Sequence, residues 1–365
     1  MNPSYFHHHL LLIKKIFIQR GFNHNTFLYL GSNLKKNASH IFSSTVPKRS
    51  MNTETMKSWQ ATTYGLENLK LSSIDIPSIL KPNEVLVKVC AASVNPLDVL
   101  MLDKAYGRST FELLNYLDYF GDVLKTPNLP LTGGRDFVGE VVRVGHSVSN
   151  IEVNDKVWGV VMPHRQGSHA EYVVTSDFLI SKKPENISDI EAASLPYIGM
   201  TAWNTVVSFG NLSQHHCKGL KIGLVGANGG IGTFLTQLFH LLIDAAGIST
   251  GDWCETLLMS RNSTIISLKS PLLTNIDENG ALFGSMKTLA ELVKVNTVVV
   301  PDGVKIKWSF FYPNKEALQN IGKLLEEGKI RPIIDKVFKM EDLLSAYEHV
   351  KSGRKQGKTV IDFTS

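Results

Sequence analysis

Ile222-Gly223-Leu224-Val225-Gly226-Ala227-Asn228-Gly229-Gly230-Ile231-Gly232 decides how this 365-residue chain is read. The short apolar run at its start predicts a buried strand, and the apolar spacing from Thr233 to His240 predicts a helix. Between them the glycines predict a tight turn. A strand that ends in closely spaced glycines and opens a helix leaves backbone N–H groups pointing outward. Glycine lets a pyrophosphate approach the backbone, and the helix dipole favours its negative charge. Gly226, Asn228, Gly229, Gly230, Ile231 and Gly232 are therefore candidate dinucleotide contacts. Their spacing is not the literal Gly-x-Gly-x-x-Gly, so the strand–turn–helix context carries the reading against a plain tight turn.

Upstream of the turn the texture is that of a β domain. Val85–Val89, Val138–Val144, Asp155–Val160 and Ala170–Val174 read as strands separated by turn residues, which predicts a compact β barrel. Ile190–Leu195 and Thr201–Phe209 carry helical apolar spacing. Downstream, Lys315–Glu327 predicts a helix closed by Gly328, and Thr359–Phe363 predicts a last strand. Phe111–Phe120 places Phe111, Tyr116, Tyr119 and Phe120 among leucines. It reads either as the wall of a cleft for a flat apolar ligand or as a helix packed on the barrel.

Charge is unevenly distributed. The 38 Lys and Arg outnumber the 33 Asp and Glu, but residues 1–53 hold seven of the basic residues and no acid. The remaining 31 basic residues against 33 acids leave a body near neutrality, with no electrostatic case for nucleic acid. An acid-free leader rich in Ser, Asn and apolar residues suits a mitochondrial presequence over residues 1–50. An undirected tail and a secretory signal are the alternatives; Lys14 and Lys15 interrupt the apolar run that the latter needs. The three cysteines, Cys90, Cys217 and Cys254, are too few and too scattered for a disulfide framework or a cysteine-rich zinc site.

Several stretches in order then resemble the medium-chain dehydrogenase/reductases, in their zinc-free quinone oxidoreductase branch. They are Ala91–Asp98, Gly134–Val141, Asp155–Gly159, Gly167–Tyr172, Ser194–Tyr197, the glycine turn, Gly328–Pro332 and Gly357–Val360. The resemblance implies an α/β fold with a GroES-like β barrel over 57–190 and 335–365, and a Rossmann-like domain over 191–334. It implies NADPH as cofactor and a quinone or enone-type substrate, with a link to ubiquinone metabolism in mitochondria. It further implies a homodimer, for which the strand-like Lys305–Phe311 is a candidate contact, and a reticulon-type membrane protein as a partner. Further cofactor contacts by the same resemblance are Thr201, Ser267, Leu268, Phe310, Phe311 and Lys358.

Zinc enzymes of this superfamily carry a Cys and a Gly-His-Glu motif where this chain reads Ala92-Ser93 and Gly134-Arg135-Asp136. Without thiolate and imidazole no zinc is expected. Two residues are candidates for the chemistry. Asn95, before Pro96, has an amide able to orient substrate or nicotinamide, with an ordinary Asn-Pro turn as the alternative. Tyr106 matches a tyrosine that lines the substrate cleft in relatives, and a phenol can donate to a developing oxyanion; packing is its alternative. The histidines, among them His164, His215 and His216, show no metal-ligand spacing and read as surface or loop residues.

One departure stands out. A nucleotide-binding half needs further strands after the glycine helix, at about 30 residues per βα unit. Here strand-like Leu241-Leu242-Ile243-Asp244 follows His240 directly, and continues as Ala245-Ala246-Gly247, a strand that comes much later in the family. The middle of the Rossmann-like domain is expected to be missing, and with it the residues that choose between NADPH and NADH. The alternative function is therefore a non-catalytic binding or scaffold protein that keeps the fold.

Overall fold

The computed structural model describes residues 54–118, 129–212, 224, 226–243, 264–268, 270–299, 305–353 and 356–364. The leader, most of the strand expected at Ile222–Val225, Tyr119, Phe120, His215, His216, Cys217, Asp244–Gly247 and Cys254 lie outside these residues.

The chain begins with β1 (Thr55–Ala61), β2 (Leu69–Asp75) and β3 (Glu84–Val94). Helices α1 (Pro96–Lys104) and α2 (Arg108–Asp118) follow, then β4 (Leu131–Thr132), β5 (Asp136–Val144), β6 (Lys156–Val160), β7 (Tyr172–Ser176) and β8 (Ile180–Lys182). Next come α3 (Asp189–Ala193), α4 (Pro196–Trp203) with a π-helical turn to Phe209, and α5 (Gly230–Ile243). The last part is β9 (Thr264–Ser267), α6 (Leu272–Lys294, broken at Gly280), β10 (Lys305–Trp308), α7 (Lys315–Glu326), β11 (Ile334–Lys339), α8 (Leu343–Lys351) and β12 (Lys358–Asp362).

The β region is two sheets. One has the order β2-β1-β4; the other runs β11-β12-β3-β5-β6-β8, with β7 also on β3. β3 organises the second. Its apolar run Val85, Leu86, Val87 is buried on both faces, as expected of a central strand. One edge pairs β5 throughout; the other is shared by β7 at Glu84–Lys88 and β12 at Ala91–Val94. The strand path is open rather than a single closed barrel, because β8 and β11 stand at its two ends.

The α/β region packs on this sheet through one apolar cluster. Phe234, Leu235 and Leu238 of α5 meet Ile198 and Met200 of α4, Leu318, Ile321 and Leu325 of α7, and Trp158 of β6. The α7 positions recur at helical spacing, which is why that helix was legible, and the Asn314 side chain accepts from Ala317 N–H to cap it. β9 and β10 pair in parallel, from Thr264↔Lys305 to Ser267↔Trp308, the arrangement a crossover fold produces. Together these regions make an α/β protein with a GroES-like and a Rossmann-like part.

Two expectations change. Leu241-Leu242-Ile243 is not strand: α5 continues through Ile243. A short apolar run does not by itself distinguish strand from buried helix, and here it extends the helix already begun at Gly230. The Lys305–Phe311 strand ends at Trp308, and β9 occupies one of its edges. No helix among the described residues is long and apolar enough to cross a membrane.

Candidate functional site

Sheet register brings the first group of residues together. Ser93 near the end of β3 pairs with Asp136 at the start of β5 on one side and with Val360 of β12 on the other. Lys358 opens β12 and reaches back over this junction. Its Nζ lies 2.6 Å from Asn95 Oδ1, 2.8 Å from Ser93 Oγ and 3.0 Å from Asp136 Oδ2. Asp136 Oδ2 also accepts from Ser93 Oγ at 2.6 Å and from Asn95 Nδ2 at 2.8 Å. Its Oδ1 accepts from Tyr197 N–H, at the start of α4, at 2.5 Å, where the helix dipole favours a carboxylate. Every member of this network except Tyr197 is under 5% exposed.

A second buried pair lies beside the first. Asp98 accepts from Asn95 N–H and Gly134 N–H, and Arg135 Nε reaches it at 3.3 Å. The Arg135 guanidinium is fully buried and donates to the carbonyls of Thr132, Met162 and Arg165. Asn95 thus joins the two pairs: its backbone serves Asp98, and its amide serves Asp136 and Lys358. The Asn-Pro pattern is also a helix start, with Asn95 before Pro96 and Asp98 in the first turn of α1. His169 closes the network below. Its Nε2 donates to Ser93 O at 3.3 Å, so Nδ1 accepts from Tyr347 OH at 2.9 Å. Burial pushes its pKa down to about 4, against the opposing pull of Asp98.

The glycine turn docks onto the same place. Gly229 forms a parallel bridge with Gly357, and Gly357 N–H donates to Asn228 O at 3.1 Å. A Cβ on Gly230 would touch Gly357 O at 3.4 Å and Lys358 Cδ at 3.5 Å. A Cβ on Gly232 would sit 2.0 Å from Gly226 O, so the helix start packs onto the turn at a distance only glycine permits. Gly226 itself adopts φ +81° with nothing within 4 Å of a Cβ, and Gly229 has nothing nearer than 3.7 Å. That open side, at the start of α5, fits a dinucleotide phosphate.

A chain of hydrogen bonds carries two of the remaining expected cofactor residues, Ser267 and Thr201, to the network. Ser309 N–H donates to Ser267 O at 2.9 Å, and Ser309 Oγ meets Thr205 Oγ1 at 2.8 Å. Thr205 donates to Thr201 O, and Thr201 donates to Tyr197 O, both at 2.7 Å. Phe311 stacks on Tyr197 with ring centroids 4.3 Å apart, and Phe310 meets Phe209 edge-on. Leu268 is exposed just beyond β9. Ile231 is half-buried in the first turn of α5.

Tyr106 lies elsewhere, in a cleft lined by Tyr64, Met101, Phe111, Leu131, Pro163 and His164 among others. Burial raises its phenol pKa, and Asp277 adds to the effect. In the network, burial, Asp98 and Asp136 hold the Tyr197 phenol above the ordinary range. His164 sits on a loop, one of the two settings expected of it, and is buried there with Nε2 2.6 Å from Asp118 Oδ2. The expected aromatic helix is α2, with Phe111 in the cleft wall.

Sequence reasoning missed Asp136, Ser93, Tyr197, His169 and Asp277. Arg135 and Asp136 were visible only as departures from a zinc motif; their burial as pair partners depends on the three-strand junction. The donor set does not suit zinc, because an ammonium and a guanidinium stand among the carboxylates. No group of three His, Cys, Asp or Glu among the described residues is placed to hold a metal.

Residues 81–185 match the family described as the alcohol dehydrogenase GroES-like domain, and residues 232–361 match the zinc-binding dehydrogenase family. The mitochondrial NAD(P)H oxidoreductase RTN4IP1 of Mus musculus is 32% identical over 355 residues, which is 84% of this chain and 89% of that one. The 2-methylene-furan-3-one reductase of Solanum lycopersicum is 30% identical over 370 residues, covering 94% and 88%. A quinone oxidoreductase structure from Coxiella burnetii superposes with a TM-score of 0.63 at 25% identity, over 85% of this chain and 100% of the other. The plant alignment has more positions than the 365 residues of this chain, so it includes positions where this chain has none.

Proposed function

The chain belongs to the medium-chain dehydrogenase/reductase family, and from that premise we propose that it is a zinc-independent, NADPH-dependent reductase of quinone or enone-type substrates. Its coarser identity is firm: a mitochondrial oxidoreductase of the NAD(P)H type. The observation that carries the finer reading is the Gly229–Gly357 bridge, which seats the glycine turn against Lys358, whose ammonium in turn donates to Asn95.

NADPH, when bound, supplies hydride. Gly226, Asn228, Gly229, Gly230, Ile231 and Gly232 would hold its pyrophosphate, with Thr201, Ser267, Leu268, Phe310 and Phe311 along the rest of the site. The Lys358–Asp136–Asn95 network keeps a positive charge fixed beneath the turn. The aromatic cleft excludes water from a flat ring, and Tyr106 holds a proton toward a substrate carbonyl. The plant relative is named for reducing a 2-methylene-furan-3-one, which favours a conjugated enone, and the Coxiella structure is titled a quinone oxidoreductase. A link to ubiquinone, removal of residues 1–50 after import, a homodimer and a reticulon-type partner belong to this reading through the family resemblance.

The test is NADPH oxidation at millimolar cofactor, with a short-tailed benzoquinone and a simple enone as separate substrates. Turnover of one or both is expected; turnover of neither would sink the reading. One observation favours the second reading, a binding protein that keeps the reductase fold: the alignments to relatives run through positions this chain does not have.

A further inference from the structure

The turn that carries Tyr106 is shaped in a costly way. Ala105 before it has φ 54°, and Gly107 after it has φ +76°. A non-glycine residue in the left-handed region is strained and persists where its surroundings fix it. Part of that fixing is local: Tyr106 N–H donates to Leu100 O at 3.2 Å. The Phe111 ring covers Gly107 so closely that a Cβ there would meet it at 2.6 Å.

The rest comes from far along the chain. Asp277, in the first segment of α6, accepts from Gly107 N–H at 2.6 Å through Oδ2 and from Ser109 N–H at 2.8 Å through Oδ1. Those amides belong to the start of α2, where N–H groups lack helical partners and a carboxylate is favoured. The two bonds use both oxygens, so the turn is held in position and in orientation. α6 belongs to the nucleotide-side half of the chain and packs on α2.

We propose that Asp277 is a positioning residue, which clamps the Tyr106 turn so that one wall of the substrate cleft is held from the nucleotide-binding half. The proposal rests on the quinone reading of the cleft for its ligand, but the clamp itself is a separate claim.

The test uses the full chain without cofactor. Binding of a short-tailed benzoquinone is followed by quenching of tryptophan fluorescence in a double-mutant cycle. Asp277→Ala and Tyr106→Phe are each expected to weaken binding about tenfold, and the double variant by no more than the worse single one. Asp277→Asn keeps one acceptor oxygen but turns an NH2 donor toward the other N–H, and is expected to recover only part of the loss. Losses that simply multiply in the double variant would overturn the proposal. Amide exchange is the second readout: the Gly107 and Ser109 amides are expected to exchange faster in Asp277→Ala, with sheet amides unchanged. Unchanged protection at both would overturn the clamp outright. If the unmodified chain binds no quinone, the substrate reading fails, and amide exchange still decides the clamp.

Discussion

Gly229 and Gly357 pair across a parallel bridge, and this one contact places the glycine turn of α5 against the lysine that opens β12. The glycines around it therefore differ in what they tolerate. Gly232→Ala forces a Cβ to within 2.0 Å of Gly226 O and must displace backbone. Gly229→Ala meets nothing nearer than 3.7 Å. Urea unfolding is expected to show a loss of about 1–3 kcal/mol for Gly232→Ala and less than about 0.5 kcal/mol for Gly229→Ala. Equal losses would mean that the turn is not packed as described.

The buried Lys358–Asp136 pair makes a second prediction. Replacing Lys358 by Met leaves a carboxylate with hydrogen-bond donors but no counter-charge. Breaking such a pair costs about 3–5 kcal/mol, whereas removing both charges costs far less. Lys358→Met is expected to lower the urea midpoint more than the double variant Lys358→Met with Asp136→Asn. A double variant as unstable as the two single losses added would show that the pair is not coupled.

His169 gives the fold a pH dependence with a definite sign. Its folded pKa is about 4, below the ordinary 6.5, because burial disfavours the charged ring. The unfolded chain therefore takes up a proton first as pH falls. Stability is fully present above about 6.5 and is lost progressively down to about 4, by about 3 kcal/mol in all. His169→Gln is expected to flatten the unfolding free energy over that window. The same slope in the variant would assign it to other groups.

Much of the fold was legible because its signals are local. The apolar run Val85–Val89, the Lys315–Glu326 spacing and the strand at the C-terminus each carry their signal within a single element. The glycine turn was legible for a stronger reason: few sequences need four glycines in seven residues unless a backbone or a ligand approaches closely. What was not legible depends on register. Ser93, Asp136 and Lys358 are far apart in sequence and meet only because β3 pairs with β5 and β12 at one junction. Asn95 was picked out for its amide, but nothing local shows that a lysine and an aspartate engage it. The broken helix α6, with Asp277, carries no period strong enough to announce itself.

The last prediction concerns the positions this chain lacks, and it follows from where the cofactor contacts lie. In the proposed reading Gly226 to Gly232 hold only part of a dinucleotide; in Rossmann folds the adenosine ribose is held by the strand that follows the glycine helix. In this chain α5 runs to Ile243, and the described strands of the Rossmann-like part, β9 and β10, pair in parallel with each other. A cradle without its ribose contacts is expected to bind NADPH with Kd in the millimolar range, which is about 4 kcal/mol. Inserting a family-like segment of about two βα units after His240 is expected to bring Kd to micromolar, a gain of about 4 kcal/mol. The measurement is NADPH titration by fluorescence on the chain with and without the insert. In the insert-bearing chain, Gly230→Val is expected to abolish the gain, since its side chain would enter the space between Lys358 and the turn. Micromolar binding by the chain as it stands would place the ribose contacts elsewhere and overturn the account of the gap.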